Sequence, residues 1–232
     1  MMGRAQVISE QLQRVLTRIA RAAQAAGRDP ATVQLLAVSK TFPVADLRAA
    51  MMAGQWCFGE SYLNEALPKL ATLTDPAPEW HFIGPLQSNK TRAIAEQFAW
   101  VHSLASLKHA ERLNEQRPVD LPPLNVCLQV NISGEASKSG VTLDALPALA
   151  TAVAVLPCLR LRGLMAIPAP STDPDAQRAA FRAVRHAFEA LQAQGLALDT
   201  LSMGMTDDLE AAIAEGATIV RVGSAIFGAR ES

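Results

Sequence analysis

Eight short apolar runs recur along the 232-residue chain: VQLLAVS (33–39), WCFGE (56–60), WHFIG (80–84), WVHSL (100–104), LNVCLQVNI (124–132), LRLRGLMAI (159–167), TLSMG (200–204) and TIVRVG (218–223). Stretches of helical length and pattern separate them. Apolar runs this short, without strict alternation, read as strands covered on both faces, which is the signature of a parallel sheet. Strand–helix–strand connections are right-handed crossovers. Eight such units in about 200 residues favour a closed (β/α)8 barrel over an open doubly wound sheet. No GxGxxG follows the first run, and no acidic residue stands where a ribose would be read, so a dinucleotide fold is not supported. The expected architecture is α/β: one TIM barrel domain over residues 1–232.

Helical patterns are expected at 44–53, 88–98, 106–117, 142–155, 175–194 and 206–215, with only a short tail after the last strand. An extra N-terminal helix over 4–26 follows from Val7, Ile8, Leu12, Val15, Leu16, Ile19 and Ala23 at three- and four-residue spacing. Arg4, Arg14, Arg18 and Arg21 on that pattern could mimic a transit peptide, but Glu10 and the Ala-rich continuation favour a structural helix. The Pro-rich IPAPSTDPDA (167–176) reads as one long barrel loop rather than an interdomain linker.

Composition narrows the function classes. Lys and Arg total 21 against 22 Asp and Glu, a net charge of −1, so neither a nucleic-acid footprint nor a polybasic membrane patch is expected. The longest apolar stretch, LPALATAVAVLP (146–157), is too short to span a bilayer. Cys57, Cys127 and Cys158 are scattered and form no CxxC pair, which argues for a reducing compartment and against disulfides or a structural zinc site. A cytoplasmic location is expected. The four histidines and scattered acids show no metal-ligand spacing.

Barrel enzymes and binders carry their chemistry at the C-terminal ends of strands. The first strand here ends in Lys40, a residue type rarely tolerated at the end of a buried strand without a task. SMGMT (202–206) and GSAIFG (223–228) follow strands seven and eight, the recurrent phosphate position of this fold, although tight βα turns would use the same glycines and serines. A desolvated lysine is a carbonyl nucleophile, and beside a phosphate cradle it points to an aldehyde-bearing phosphate such as pyridoxal 5'-phosphate (PLP). A salt-bridged lysine with its stem packed on the rim is the alternative. Arg221 ends strand eight; aimed at a pyridine nitrogen it would keep that nitrogen unprotonated and weaken the electron sink, or it forms an ion pair with Glu60 or Asp207. His81 could contact a ligand or simply pack. Asp207 and Asp208 are more simply first-turn helix residues. GEASKSG (134–140) lacks the GK[ST] order of a Walker motif.

The segments AVSKT (37–41), FGESY (58–62), EWHFIGPLQSNK (79–90), SKSG (137–140), RGLMAIPAP (162–170), SMGMTDDLEAAI (202–213) and VRVGSAIFGAR (220–230) closely resemble the pyridoxal phosphate homeostasis proteins. The resemblance runs in the same order over nearly the whole chain. It implies a fold-type III PLP-binding barrel like the N-terminal domain of alanine racemase. It makes Lys40 the Schiff-base lysine and the covalent attachment of PLP, and Arg221 the partner of the pyridine nitrogen. Ser202, Met203 (through its backbone), Gly223 and Ser224 become phosphate contacts, and Lys138 a second lysine that handles PLP. Ser61, His81, Asn89 and Met165 fall on site-facing motifs. Two positions depart from the family pattern: Phe42 where relatives often carry a second lysine, and Ser61 where they often carry asparagine.

Three functions follow as expectations: a PLP carrier or regulator without turnover, an amino-acid racemase, and a Schiff-base aldolase without PLP. Racemisation needs acid/base groups on both faces of the bound substrate. The second group, a tyrosine that the racemases take from a partner's β-domain, has no counterpart in a chain ending soon after strand eight. Tyr62, the only tyrosine, lies early in the barrel. The carrier reading is therefore favoured, with PLP as ligand, transient contact with apo PLP-dependent enzymes, no nucleic acid or membrane partner, and a monomeric state.

Overall fold

The computed structural model describes residues 3–134 and 139–229. Among these, β1 (Gln34–Val38), β2 (Cys57–Glu60), β3 (Glu79–Phe82), β4 (Trp100–Leu104), β5 (Leu124–Val130), β6 (Leu159–Ala166), β7 (Thr200–Ser202) and β8 (Ile219–Val222) pair in sequence order as a closed parallel barrel. The ring closes where Leu36 of β1 pairs with Arg221 of β8. The expected α/β TIM barrel is therefore the observed fold.

Around it run α2 (Val44–Met52), α3 (Leu63–Thr72), α4 (Thr91–Gln97), α5 (Leu107–Gln116), α6 (Leu146–Ala154), α7 (Pro174–Ala193) and α8 (Leu209–Ala214). Where a bare tail was expected after β8, a one-turn helix α9 (Ser224–Phe227) forms instead. The N-terminal helix α1 (Arg4–Ala25) is structural: Ile8, Leu12, Val15, Ile19 and Ala23 make a buried stripe against α2, α8 and α9. Each fully buried aliphatic chain there contributes roughly 1.5–3 kcal/mol. Arg18 adds a bidentate pair with Glu210 of α8. No helix of the described residues is long and apolar enough to cross a membrane.

Strand residues alternate between two environments. Outward positions such as Leu35, Ala37, Phe58, Phe82 and Val101 join the helices in one continuous apolar layer. The barrel interior is different. Among the described residues it holds Leu36, Ile219 and a small apolar cluster of Trp100, Cys127 and Met165, beside buried His81, His102, Ser202 and Arg221. The helix-facing layer carries the folding, and the interior is left for polar groups.

β6 shows how tightly the ring is drawn. Its register to β5 shifts between the Val126–Leu161 and Cys127–Gly163 pairs, so Arg162 bulges. At the following residue, a Cβ on Gly163 would lie 1.8 Å from the Thr200 carbonyl oxygen. That neighbour is backbone and cannot swing away. Gly163→Ala is therefore expected to cost about 3 kcal/mol, read as a lower urea midpoint; an unchanged midpoint would show that β6 and β7 are not held this closely.

Candidate functional site

Lys40 leaves the C-terminal end of β1 on a turn built from buried polar contacts. Ser39 donates from its N–H to Gly59 O (3.0 Å) and from Oγ to Glu60 Oε1 (2.6 Å). Lys69 Nζ, on α3, donates to Ser39 O (2.8 Å) and to Glu60 Oε1 (2.7 Å). Glu60 is fully buried, and burial pushes its carboxyl above the usual range against the opposing pull of Lys69 and Ser39. After Lys40 the chain turns sharply. Thr41 has φ +70°, a left-handed conformation found at no other non-glycine among the described residues, and its N–H donates to Glu65 Oε2 (3.0 Å). A β-branched residue held there costs of order 1–3 kcal/mol, as is common beside functional groups. Phe42 then packs on Phe227 of α9, ring centroids 5.0 Å apart. The half-buried Lys40 places Nζ 5.9 Å from the centre of the Tyr62 ring.

Arg221 faces Lys40 from inside the barrel. Its Nη1 donates to Ser202 O (2.6 Å) and Ser202 Oγ (2.8 Å), and its Nη2 to Ala166 O (2.9 Å). Burial lowers its pKa to about 10, which still leaves it charged at neutral pH. Below Arg221 a column of hydrogen bonds runs down the interior. Ser202 Oγ meets His102 Nδ1 (2.7 Å), His102 Nε2 meets His81 Nδ1 (2.8 Å), and His81 Nε2 meets Glu79 Oε1 (2.9 Å). Burial holds both imidazoles below the usual histidine range, His102 well below it, so both are neutral. Glu79, held low chiefly by its bond to His81, can only accept. One direction then satisfies every atom: Arg221 donates to Ser202, Ser202 to His102, His102 to His81, and His81 to Glu79.

A cavity of about 260 Å³ lies between the two halves, walled by Val38, Lys40, Ser61, Ile83, Met165, Ile167, Met205, Thr206, Asp207, Arg221, Gly223 and Ser224. Six residues expected at a cofactor site therefore meet there: Lys40, Ser61, Met165, Arg221, Gly223 and Ser224. Thr206 and Ser224 bring their hydroxyls to 3.4 Å, joining the loops after β7 and β8. Arg221 commits Nη1 and Nη2 to the protein while its side chain walls the cavity. The group the sequence implies is compatible with this cavity: a primary amine, a cationic N–H donor, and two hydroxyl- and amide-bearing loops face one small space. A larger hollow of about 870 Å³ adjoins it and shares Ile167, Met205 and Asp207.

Three expected contacts are placed elsewhere. His81 is fully buried in the column, bonded to His102 and Glu79, and does not wall the cavity. Ser202 is buried beneath Arg221, with its hydroxyl committed to Arg221 and His102. Met203 is buried and its N–H donates to Ile219 O (3.1 Å), so it is not available to a phosphate. All three belong to strand ladders or the interior rather than to loops. Asn89 is exposed and outside the cavity wall. Lys138 lies outside the described residues.

Sequence reading missed Lys69 and its pairing with Glu60, which it had offered to Arg221 instead, and it missed His102. The signal for the pair was FGESYLNEALPKL (58–70), where Lys69 falls on the buried side of α3 with Leu63, Ala66 and Leu70. It also found no metal-ligand spacing; in the structure the parallel β2–β3 pair brings one ligand-type atom each of Cys57, Glu79 and His81 within 4.8 Å of one another. Ligands on separate strands leave no short motif.

The profile of the alanine racemase N-terminal domain family matches residues 11–231. The pyridoxal phosphate homeostasis protein of Pseudomonas aeruginosa is 65% identical over 224 residues, covering 97% of this chain and 96% of that protein. The Escherichia coli protein of the same name is 52% identical over 227 residues, covering 97% of each. The structure of PipY from Synechococcus elongatus with PLP bound superposes with a TM-score of 0.82 at 39% identity, covering 95% of this chain and 100% of that one. This chain belongs to the pyridoxal phosphate homeostasis protein family, within the group defined by the alanine racemase N-terminal domain.

Proposed function

We propose that this chain binds PLP at the Lys40–Arg221 cavity and serves PLP homeostasis in the cytoplasm, holding the cofactor covalently and supplying or buffering it without turnover. The observation that carries the reading is the meeting of Lys40, Arg221, Gly223 and Ser224 around one cavity of about 260 Å³. Bound there, PLP would supply an electrophilic carbonyl and an electron-withdrawing ring. The chain's own residues then define what happens. Lys40 Nζ is the amine that holds the carbonyl. The Thr206–Ser224 rim and the first turn of α9 offer hydroxyl and N–H groups to the phosphate. Arg221, charged and pinned from below by Ser202, presents a donor that does not release its proton to the ring nitrogen.

Against racemase activity, the cavity wall among the described residues contains no tyrosine, histidine or cysteine, and the half-exposed Tyr62 stands outside it. The whole chain is proposed to act as one PLP-binding unit, monomeric, with only transient contact to apo-enzymes. The test is transfer of PLP from the loaded protein to apo-enzymes, compared with free PLP at matched concentration. Faster or more complete activation than free PLP supports delivery; steady racemisation of a common amino acid by the purified protein overturns the carrier reading.

Arg221→Glu is expected to shift the absorption spectrum of the bound cofactor and to weaken its retention. A carboxylate can hold a proton on the ring nitrogen, and the Ser202 and Ala166 contacts lose their donor. Unchanged spectrum and affinity would show that Arg221 does not reach the ring.

A further inference from the structure

At the end of the barrel opposite Lys40, we propose that Cys57, Glu79 and His81 form a binding site for one divalent cation of the zinc class. Cys57 and Glu79 are direct partners in the β2–β3 ladder, and His81 follows Glu79 by two residues on the same inward face. Cys57 Sγ lies 3.8 Å from Glu79 Oε1, His81 Nε2 lies 2.9 Å from the same oxygen, and all three ligand atoms fall within 4.8 Å of one another. Bond lengths of about 2.0–2.3 Å in a tetrahedral site set ligand atoms roughly 3.3–3.7 Å apart, so small side-chain movements suffice. Sulfur, nitrogen and oxygen together suit zinc rather than magnesium or calcium. Three protein ligands leave a fourth position, and the exposed Glu79 marks its solvent side.

The surroundings match a metal centre. His81 Nδ1 is fixed by His102 at 2.8 Å, the second bond by which ligating histidines are oriented. Gln34 Nε2 donates to Cys57 Sγ at 2.9 Å, a contact that favours a thiolate. A thiolate and a carboxylate balance a divalent charge. The nearby cation is Arg162, stacked 4.6 Å over Trp100 and matched by a bidentate pair with Asp199. Without a cation, burial pushes the Cys57 thiol up to about 11, so binding sends that proton to solvent.

Occupation has a consequence at the other end of the barrel. A cation on His81 Nε2 requires the imidazole proton on Nδ1, which then donates to His102 Nε2. His102 in turn carries its proton on Nδ1 and donates to Ser202 Oγ, beside the bond from Arg221. Each imidazole keeps one proton, and the direction of the column reverses.

The test adds Co²⁺ to the full-length protein, previously stripped of metal, and records the ligand-field bands, which lie to the red of the cofactor's absorption. One equivalent with tetrahedral bands and thiolate charge transfer is expected. The charge transfer disappears in Cys57→Ser, affinity falls at least about tenfold in His81→Gln, and Cys158→Ser behaves as wild type. Absence of bands at stoichiometric Co²⁺, or charge transfer that survives Cys57→Ser, overturns the proposal. A measurement free of variants is the 15N spectrum of the histidines with Zn²⁺: His81 and His102 exchange their protonated nitrogen if the site is real, and unchanged shifts refute it. Neither readout depends on PLP binding, so the two proposals fail separately.

Discussion

Lys40→Ala is expected to abolish the visible absorption band that PLP acquires on binding this protein, and to turn near-complete retention during gel filtration into loss. The alternative candidate for a nucleophile, Lys69, is excluded by its own contacts: its Nζ is spent on Ser39 O and Glu60 Oε1 and lies buried beneath the turn. Lys40 walls the cavity with Arg221 and Ser224. Lys40→Arg separates charge from nucleophilicity, because guanidinium keeps the charge and does not form the bond. It should lose the band like alanine while keeping more of the phosphate-driven affinity. A band that persists in either variant would remove Lys40 from its assigned role.

Lys69→Met is expected to destabilise the fold by about 3–5 kcal/mol at pH 8, because it leaves the Glu60 carboxylate buried without its counter-charge. The sign with pH follows from Glu60. Its folded-state pKa is already raised by burial, so the folded state holds more protons than the unfolded one between the ordinary carboxylate value and the raised value, and stability falls as pH rises through that window. Removing Lys69 removes an interaction that lowers this pKa, so the variant's deficit is largest above the window and shrinks on acidification. Among the described residues Glu60 Oε2 has no hydrogen-bond partner, which leaves an oxygen open to the proton. Urea unfolding at pH 8 and again near pH 5 measures both quantities. A deficit that is the same at the two pH values would show that the pair is not the source of the loss.

The fold was legible because each strand carries buried apolar residues on the side that the helices cover, and helix-length patterns separate the strands. Val33–Val38 and Leu124–Val130 announce themselves without knowledge of their neighbours. α3 was harder, since Pro68 interrupts its pattern, and α9 is a single turn. The cavity wall was legible at Lys40, Arg221, Gly223 and Ser224 because such residues are conspicuous at strand ends. His81 and Ser202 were read at the cavity for the same reason, and the structure holds both among buried interior partners: alternation along a strand says inward or outward, but not how far down the interior a side chain lies. Their shared partner His102 comes from β4, and Glu79 stands two residues before His81 on β3. Phe42 reads in sequence as the loss of a lysine; in the structure it is a packing residue that braces α9 through Phe227.

The position of α1 bears on the order in which the molecule is assembled. α1 packs on α8 and α9, which are made well after it, and β1 pairs with β8 as well as β2. Arg4 reaches the Phe227 carbonyl and Arg18 reaches Glu210 across most of the chain. An apolar stripe from Ile8 to Ala23 therefore emerges before the α8 and α9 partners that cover it. β1, the strand that presents Lys40, has β2 on one edge and β8 on the other, so its second edge is covered only once β8 has been made.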